Sequence, residues 1–471
     1  MDIKIFLKGT IMKKLLYLLL CLLTVLLVTA CGSGDITKTD NTDVTAKDLT
    51  DKKFIFGTIH LTEYFQEEAF SQSGDRLLER YRAIENEFNC EFEVIGLPGD
   101  AMPAIRSAQA VGLDVPDVVD VGGDVGYSLY QVNGVQAFDD IPGIDINDED
   151  KWGSKNFIVN ANHGGKQYGI FANRWETIPQ MGGLLLFNNI LINEWVLPNP
   201  YELYENKQWT WDTFKEILIQ ARHDEDKTKY YGLVIHDDWG DYGFIFMKTA
   251  IFSNGGRALV EKNGKLAFGY DSAESMEAME WAGSLLADDL AKRTRNPEME
   301  EFTQGQSVFF LGDSWTGTVH TSSTPYLPSE QMKEYGFMHF PSGPKVPVGT
   351  TASYVALIRR LMFLPTLTDN KPEDLGLVLN FMFDVLDYET KVTWKDVLRR
   401  EVVHHKEDAE VFMKMYEDVV YDQSAYYYDN NEAVNKAFLS VYNKKGAGIV
   451  EAMQKISEVI TNDVHKNLYG E

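Results

Sequence analysis

Apolar and polar positions divide the chain into three stretches. Residues 15–28, from Leu15 to Val28, form an apolar run preceded by Lys13 and Lys14 and followed by Thr29-Ala30-Cys31. Residues 32–51 carry Gly, Ser, Thr, Asp and Asn with almost no apolar side chains, which is the composition of a flexible tether. From Phe54 onward, apolar positions recur with the periods of strands and helices. Phe54-Ile55-Phe56-Gly57-Thr58-Ile59 predicts a strand entering a turn. Leu77, Tyr81, Ile84 and Phe88 share one helical face and predict a helix from about Gly74. Phe92-Glu93-Val94-Ile95 predicts a second strand, residues 103–110 a short helix, and residues 116–121 a third strand stopped by Gly122-Gly123. This alternation with short connections predicts an α/β fold of mostly parallel, helix-flanked sheets. Ligands of such sheets sit beyond the carboxyl ends of the strands, which puts Thr58, Tyr64 and residues 122–127 on the functional edge.

Other signals predict core helices. Thr210 is a good N-cap, Asp212 suits the first turn, and Trp209 with Phe214 can form a hydrophobic staple, so Trp209 and Trp211 are expected to be structural. Asp271-Ser272-Ala273-Glu274 opens a helix with Met276, Met279, Gly283 and Leu286 inward. Pro372 fits the first turn of a helix carrying Leu375, Leu379, Met382 and Leu386, and a closing helix runs from about Gly448.

The basic–apolar–small pattern of the first thirty residues reads as a secretory signal, residues 1–30, and not as a spanning helix. Met12, directly before the lysines, is expected as an alternative start. Leu27-Val28-Thr29-Ala30-Cys31 resembles the lipobox of bacterial lipoproteins. That resemblance implies that Cys31 carries lipid and ties a tether of residues 31–52 to the outer face of the cell membrane. Of three cysteines only Cys90 then remains in the body, so no internal disulfide is expected and stability must come from a core. The net charge of −27 excludes nucleic acid as a natural partner, and losing residues 1–30 makes the body more acidic still.

The middle of the chain carries an ordered set of phrases: Lys166-Gln167-Tyr168-Gly169-Ile170, Leu186-Phe187-Asn188-Asn189, Pro200-Tyr201-Glu202-Leu203-Tyr204 and Trp209-Thr210-Trp211-Asp212. Asn254-Gly255-Gly256, residues 302–310 and Phe340-Pro341-Ser342-Gly343-Pro344 follow. From about residue 54 to the end, this order resembles the family 1 extracellular solute-binding proteins, the maltose-binding-protein-like components of ABC-type sugar importers. Phe171 stands where the family has proline, and Asn189 where it has lysine. The resemblance implies a two-lobed periplasmic-binding-protein-like fold. Lobe I would take residues 53–168 plus about 355–400, and lobe II residues 169–354 plus about 401–471. Hinge crossings would lie near 168–170, near 350–354 and around residue 400. It further implies a monomer that captures a carbohydrate between the lobes and delivers it to the permease of an ABC importer, with no cofactor and no metal.

Pyranose rings offer apolar faces that lie against aromatic side chains, and their hydroxyls need paired donors and acceptors. Candidates on edge loops are Asp124 and Tyr127 after the third strand, Trp175 past the first crossing, Trp239 in a glycine-flanked loop, and Trp315 in Gly312-Asp313-Ser314-Trp315-Thr316-Gly317. The run Tyr426-Tyr427-Tyr428, with Tyr427 as its representative, completes the set. No Gly-x-Ser-x-Gly, His-Glu-x-x-His or phosphate-cradling glycine loop is present, so no catalytic residue is assigned. A surface glycoside hydrolase, a structural lipoprotein, and a binding protein for a peptide, polyol or metal remain the competing readings. His404-His405 reads as a solvated pair, because adjacent helical residues point apart.

Overall fold

Three apolar runs and the helices between them begin the body: β1 Lys53–Thr58, α1 Gln72–Phe88, β2 Glu91–Gly96, α2 Ala101–Val111 and β3 Val118–Gly122. In the computed structural model the described residues are 47–61, 72–98, 101–111, 115–173, 175, 178–225, 228–236, 243–294, 300–314, 334–355, 359–384, 392–421, 432–444 and 447–469. The chain divides into two units, Met1–Lys47 and Asp48–Glu471. Only Lys47 of the first is described, so the leader, Cys31 and most of the polar stretch lie outside the described residues. The second unit starts earlier than Phe54. Leu49 is buried and donates its N–H to the Phe88 carbonyl (2.7 Å), and Asp48 Oδ1 accepts from Thr50 N (3.0 Å) and Asn89 Nδ2 (3.1 Å). Residues 48–52, expected in the tether, are therefore docked at the amino end of β1.

The chain continues through α3 Gly123–Gln131, β4 Val135–Gln136 and β5 Gly169–Ile170. Next come β6 Gly182–Asn188, α4 Trp211–Ala221, β7 Tyr231–His236, α5 Gly243–Ser253, α6 Ala273–Ala287, β8 Ala291–Thr294, β9 Ser307–Asp313, β10 Tyr335–His339 and β11 Tyr354–Val355. The last elements used below are β12 Arg359–Pro365, α7 Pro372–Phe383, α8 Trp394–Val397, α9 Lys406–Glu417, β13 Val420–Tyr421 and α10 Ile449–Tyr469. Two sheets result. The first has the order β2-β1-β3-β12-β4, with β5 also on β12; the second has the order β8-β7-β9-β6-β11-β13, with β10 also on β6.

The α/β architecture with two helix-flanked sheets agrees with the sequence, but the sheets are mixed and not mostly parallel. Pairs β1/β2, β1/β3, β7/β8, β7/β9 and β11/β13 are parallel. Every pair that includes β6 or β12 is antiparallel. Those two strands arrive from the other sheet by direct crossing, without the helical crossover that makes a strand parallel to its predecessor. β5 belongs to the first sheet and β11 to the second, so the crossings fall at 171–181, at 356–358 and between 366 and 419. Two of them lie a few residues later than the motifs suggested.

Local chemistry explains the frame. All seven residues of β6 are buried, as befits an unbroken apolar run flanked by strands on both sides. Thr210 caps α4 and exchanges hydrogen bonds with Thr213, and the Trp209 and Phe214 rings meet edge to face at 5.5 Å. Trp209 Nε1 donates to the His339 carbonyl, Trp211 Nε1 donates to Ser253 Oγ, and Trp211 stacks on Trp281 at 4.2 Å. Both tryptophans are core, as expected. Ser272 caps α6, Pro372 occupies the first turn of α7, and Met453 and Ile460 bury one side of α10. α3 lies flat on β12 because residue 126 is glycine; a Cβ there would stand 2.0 Å from a ring atom of Phe363.

Candidate functional site

Strand direction locates the site. β1 and β3 are parallel, so Thr58 and Gly122 end on one edge of the first sheet. β12 runs the other way and begins on that edge, since Arg359 pairs with Gly122. β5 is antiparallel to β12 and therefore leaves by the same edge. In the second sheet β7 and β9 run parallel, and β9, β10 and β11 all oppose β6. Their carboxyl ends share the edge at which β6 begins, where Gly182 pairs with both Tyr354 and Asp313. The crossings at 171–181 and 356–358 thus join the carboxyl edge of one sheet to the carboxyl edge of the other. These are the edges where open α/β sheets receive ligands.

On the first sheet, Thr58 and Asp120 are fully buried at this edge. Thr58 Oγ1 donates to Asp120 Oδ2 (3.0 Å) and accepts from His60 N (2.9 Å), and Ile59 N donates to the Asp120 carbonyl (3.3 Å). These bonds fix the turn after β1. α3 starts directly after β3 at this edge, with no side-chain cap at Gly122. Asp124 lies in that first turn. Tyr127, one turn on, is buried, with ring centroids 5.2 Å from His163 and 6.1 Å from Tyr130. Tyr130 stacks on His163 at 4.4 Å and meets Tyr168 edge to face at 4.7 Å. Burial lowers the His163 pKa to about 4 and keeps the imidazole neutral. This aromatic cluster was not foreseen from the sequence, where only Tyr127 was singled out as a candidate and Tyr168 as part of a motif.

The crossings are pinned on both sides. Asn173, in the first crossing, accepts at Oδ1 from Trp394 Nε1 (2.8 Å) and Tyr416 OH (2.9 Å). Its Nδ2 donates to the carbonyls of Glu149 (3.1 Å) and Asp150 (3.3 Å). Trp394 and Tyr416 belong to the third crossing, so one carboxamide ties two crossings together. On the second-sheet side Ser314 is the clamp. Its hydroxyl donates to the Pro179 carbonyl (2.9 Å) and accepts from Met181 N (2.7 Å), and its N–H donates to the Met181 carbonyl (2.7 Å).

Trp175 is corrected by its surroundings. It is 2 % exposed, stacks on Phe383 at 5.0 Å with an 11° interplanar angle, donates Nε1 to the Met382 carbonyl (3.1 Å), and has the Arg80 guanidinium over its ring at 5.5 Å. Its face is already occupied, so it anchors the crossing to the first lobe and has no surface left for a ligand. Trp239, Trp315 and Tyr427 lie outside the described residues, as does Tyr64. Their attachment points are described. Trp239 follows the end of β7 by three residues, Trp315 follows Ser314, and Tyr427 follows β13, which runs with β11. All three segments leave the carboxyl edge of the second sheet.

His405 caps α9, its N–H donating to Asp408 Oδ2 (3.2 Å), while His404 is exposed. Cys90 is half-buried, and desolvation pushes its thiol up to about 11, so it stays protonated and inert. No cluster of three or more His, Cys, Asp or Glu side chains able to hold a metal occurs among the described residues.

Two α/β lobes joined by crossings at their carboxyl edges make a two-lobed binding-protein-like fold, and solved structures with that fold are similar to this chain. A cyclic α-maltosyl-1,6-maltose binding protein from Arthrobacter globiformis aligns at 13% identity over 88% of this chain and 99% of its own, with a TM-score of 0.63. An extracellular solute-binding protein from Staphylococcus aureus, in complex with maltose, aligns at 14% identity over 88% and 97%, with a TM-score of 0.59. An ABC transporter solute-binding protein from Thermotoga lettingae, bound with α-D-tagatose, aligns at 14% identity over 88% and 99%, with a TM-score of 0.58. No protein-family model matches the chain, and no curated protein matches it by sequence.

Proposed function

We propose that this protein is a lipid-anchored extracellular solute-binding protein that captures a carbohydrate between its lobes and passes it to an ABC importer. The observation that carries this reading is the convergence of both carboxyl edges on the crossings, with aromatic-bearing segments leaving the same edge of the second sheet. The ligands named for the similar structures are sugars, which supports carbohydrate as the cargo. Trp315, Trp239 and Tyr427 supply ring faces, and Asp124 accepts from hydroxyls. Ligand favours whichever lobe arrangement it binds better, and the permease reads that arrangement. No bond is made or broken. Cys31 carries the acyl chains that hold the body at the outer face of the membrane.

The test is a calorimetric and thermal-shift panel of maltose, cyclic α-maltosyl-1,6-maltose and α-D-tagatose on the body lacking residues 1–31. A binder at about a hundred times its Kd adds about 2.7 kcal/mol of stability. Silence to all three sugars with a shift for peptides, polyols or divalent metals would replace carbohydrate as the cargo. Turnover of any glycan would replace binding with hydrolysis. The anchor is tested separately: Cys31→Ser is expected to abolish labelling by a palmitate analogue and release the protein into the medium.

A further inference from the structure

α9 touches both lobes. Toward its amino end Asp408 is buried, and its carboxylate accepts from the Tyr201 hydroxyl and from Phe337 N (2.6 Å) on β10. Near its carboxyl end the Met415 carbonyl accepts from Ser353 Oγ (2.8 Å), and just beyond the helix Val420 N donates to the Ser353 carbonyl (2.8 Å). These partners belong to the second lobe. Tyr416 and Glu417 reach the other way. Tyr416 OH accepts from Ser154 N (3.0 Å), its ring centroid lies 5.2 Å from that of Phe157, and the Glu417 carbonyl accepts from Asn156 Nδ2 (2.8 Å). Residues 154–157 lie between β4 and β5 and are rooted in the first lobe. Just before them, Lys151 Nζ donates to Asn380 Oδ1 (3.1 Å) and Trp152 packs on Phe383 at 5.4 Å, both partners being on α7. One helix is thus fastened to the second lobe and grips the first.

We propose that Tyr416 and Glu417 form a latch between the lobes, which holds the arrangement seen here and lets go when the lobes turn. Strength decides which grip yields. Asp408 is a desolvated carboxylate with charge-assisted bonds, and breaking them would strand a buried charge. The bonds to Ser154 and Asn156 join neutral groups. Ser154 is half-buried and Asn156 exposed, so both donors exchange their partner for water with little loss. α9 therefore travels with the second lobe, and its contact with residues 154–157 opens. The Tyr416 hydroxyl also donates to Asn173 Oδ1 (2.9 Å), which sets the latch against the first crossing itself. The inference rests on the capture between lobes proposed above, because a latch of this kind competes with any ligand that favours the other arrangement.

Asn156→Ala and Tyr416→Phe each weaken the latch and leave Asp408 in place. The test reads the distance between lobes by pulsed electron spin resonance on the unliganded body lacking residues 1–31, which keeps the whole unit Asp48–Glu471. Labels are attached at Glu87→Cys on α1 and Val459→Cys on α10, both exposed positions, in a Cys90→Ser background. Loss of one neutral hydrogen bond changes an equilibrium by about three-fold to ten-fold. Each variant is expected to move population by about that factor from the wild-type distance to a second one, and the double variant further. Affinity for the tightest-binding sugar of the panel should follow the distance: higher where the lobes come closer, lower where they part. A distance distribution identical to the wild type in Asn156→Ala and in the double variant overturns the latch. So does an affinity change in the opposite sense. Should the double variant fail to fold, Asn156→Ala decides alone, since its side chain is exposed. A wild type that binds no sugar overturns the carbohydrate reading, while the distances, which need no ligand, still decide the latch.

Discussion

A carboxamide offers two donors and two acceptor lone pairs, and Asn173 uses all four on protein partners while 5 % exposed. Asn173→Leu, similar in volume, strands the Trp394 indole N–H and the Tyr416 hydroxyl in a dry interior. A loss of about 3 kcal/mol is expected from urea denaturation, of the size that unpaired buried donors produce. His339 sets a pH dependence. It is fully buried, its Nδ1 meets the Phe340 carbonyl at 2.7 Å, its Nε2 has no partner, and burial lowers its pKa to about 4 from 6.5. The unfolded chain therefore takes up this proton first as pH falls. Stability declines from pH 6.5 downward and the loss is complete below pH 4, amounting to about 3 kcal/mol from this group. Denaturation midpoints at pH 7 and pH 4.5 should differ less in His339→Leu than in the wild type. Residues of this kind are hard to read from sequence. Asn173 finds Trp394 and Tyr416 more than 200 positions away, and nothing near Trp175 reveals that Phe383 covers its face.

Elements whose cause is local were legible. The α4 cap, the Trp209–Phe214 staple, the Ser272 cap and the proline-led start of α7 all depend on contacts within a few residues, and each begins where the spacing placed it; α7 ends at Phe383, and Leu386 lies outside the described residues. Thr210→Ala removes the α4 cap and is expected to destabilise by about 1 kcal/mol in thermal denaturation. Gly126→Ala tests a contact that spacing does not disclose. Its methyl meets the Phe363 ring, and the shift of α3 that follows should destabilise by about 1–3 kcal/mol. Strand direction was the element-level property misjudged. Alternation of strands and helices predicts parallel pairing within one sheet, but it cannot show that β6 and β12 arrive from elsewhere.

For the whole molecule, the ordered motifs were enough to imply two lobes and their crossings, though not which side of a crossing an aromatic faces. Trp175 faced the core, and Tyr127 entered a cluster with His163, Tyr130 and Tyr168. Trp315 remains the ring expected to carry most affinity. Trp315→Ala should weaken sugar binding about ten-fold or more while leaving the urea midpoint unchanged; Trp175→Ala should lower that midpoint by about 3–5 kcal/mol of stability. Equal effects of the two substitutions on affinity would place the binding surface elsewhere.

The seat of Leu49 and Asp48 at the amino end of β1 has a mechanical meaning. A force applied to the chain at Asp48 loads β1 along its axis. β2 and β3 hold β1 on either side by parallel ladders, so the strain is taken in shear across two rows of hydrogen bonds, a direction in which sheets resist strongly. The crossings attach at the opposite end of those strands and bear none of the initial load. A pull on the chain ahead of Asp48 would therefore load the β1 ladders before it reached the crossings.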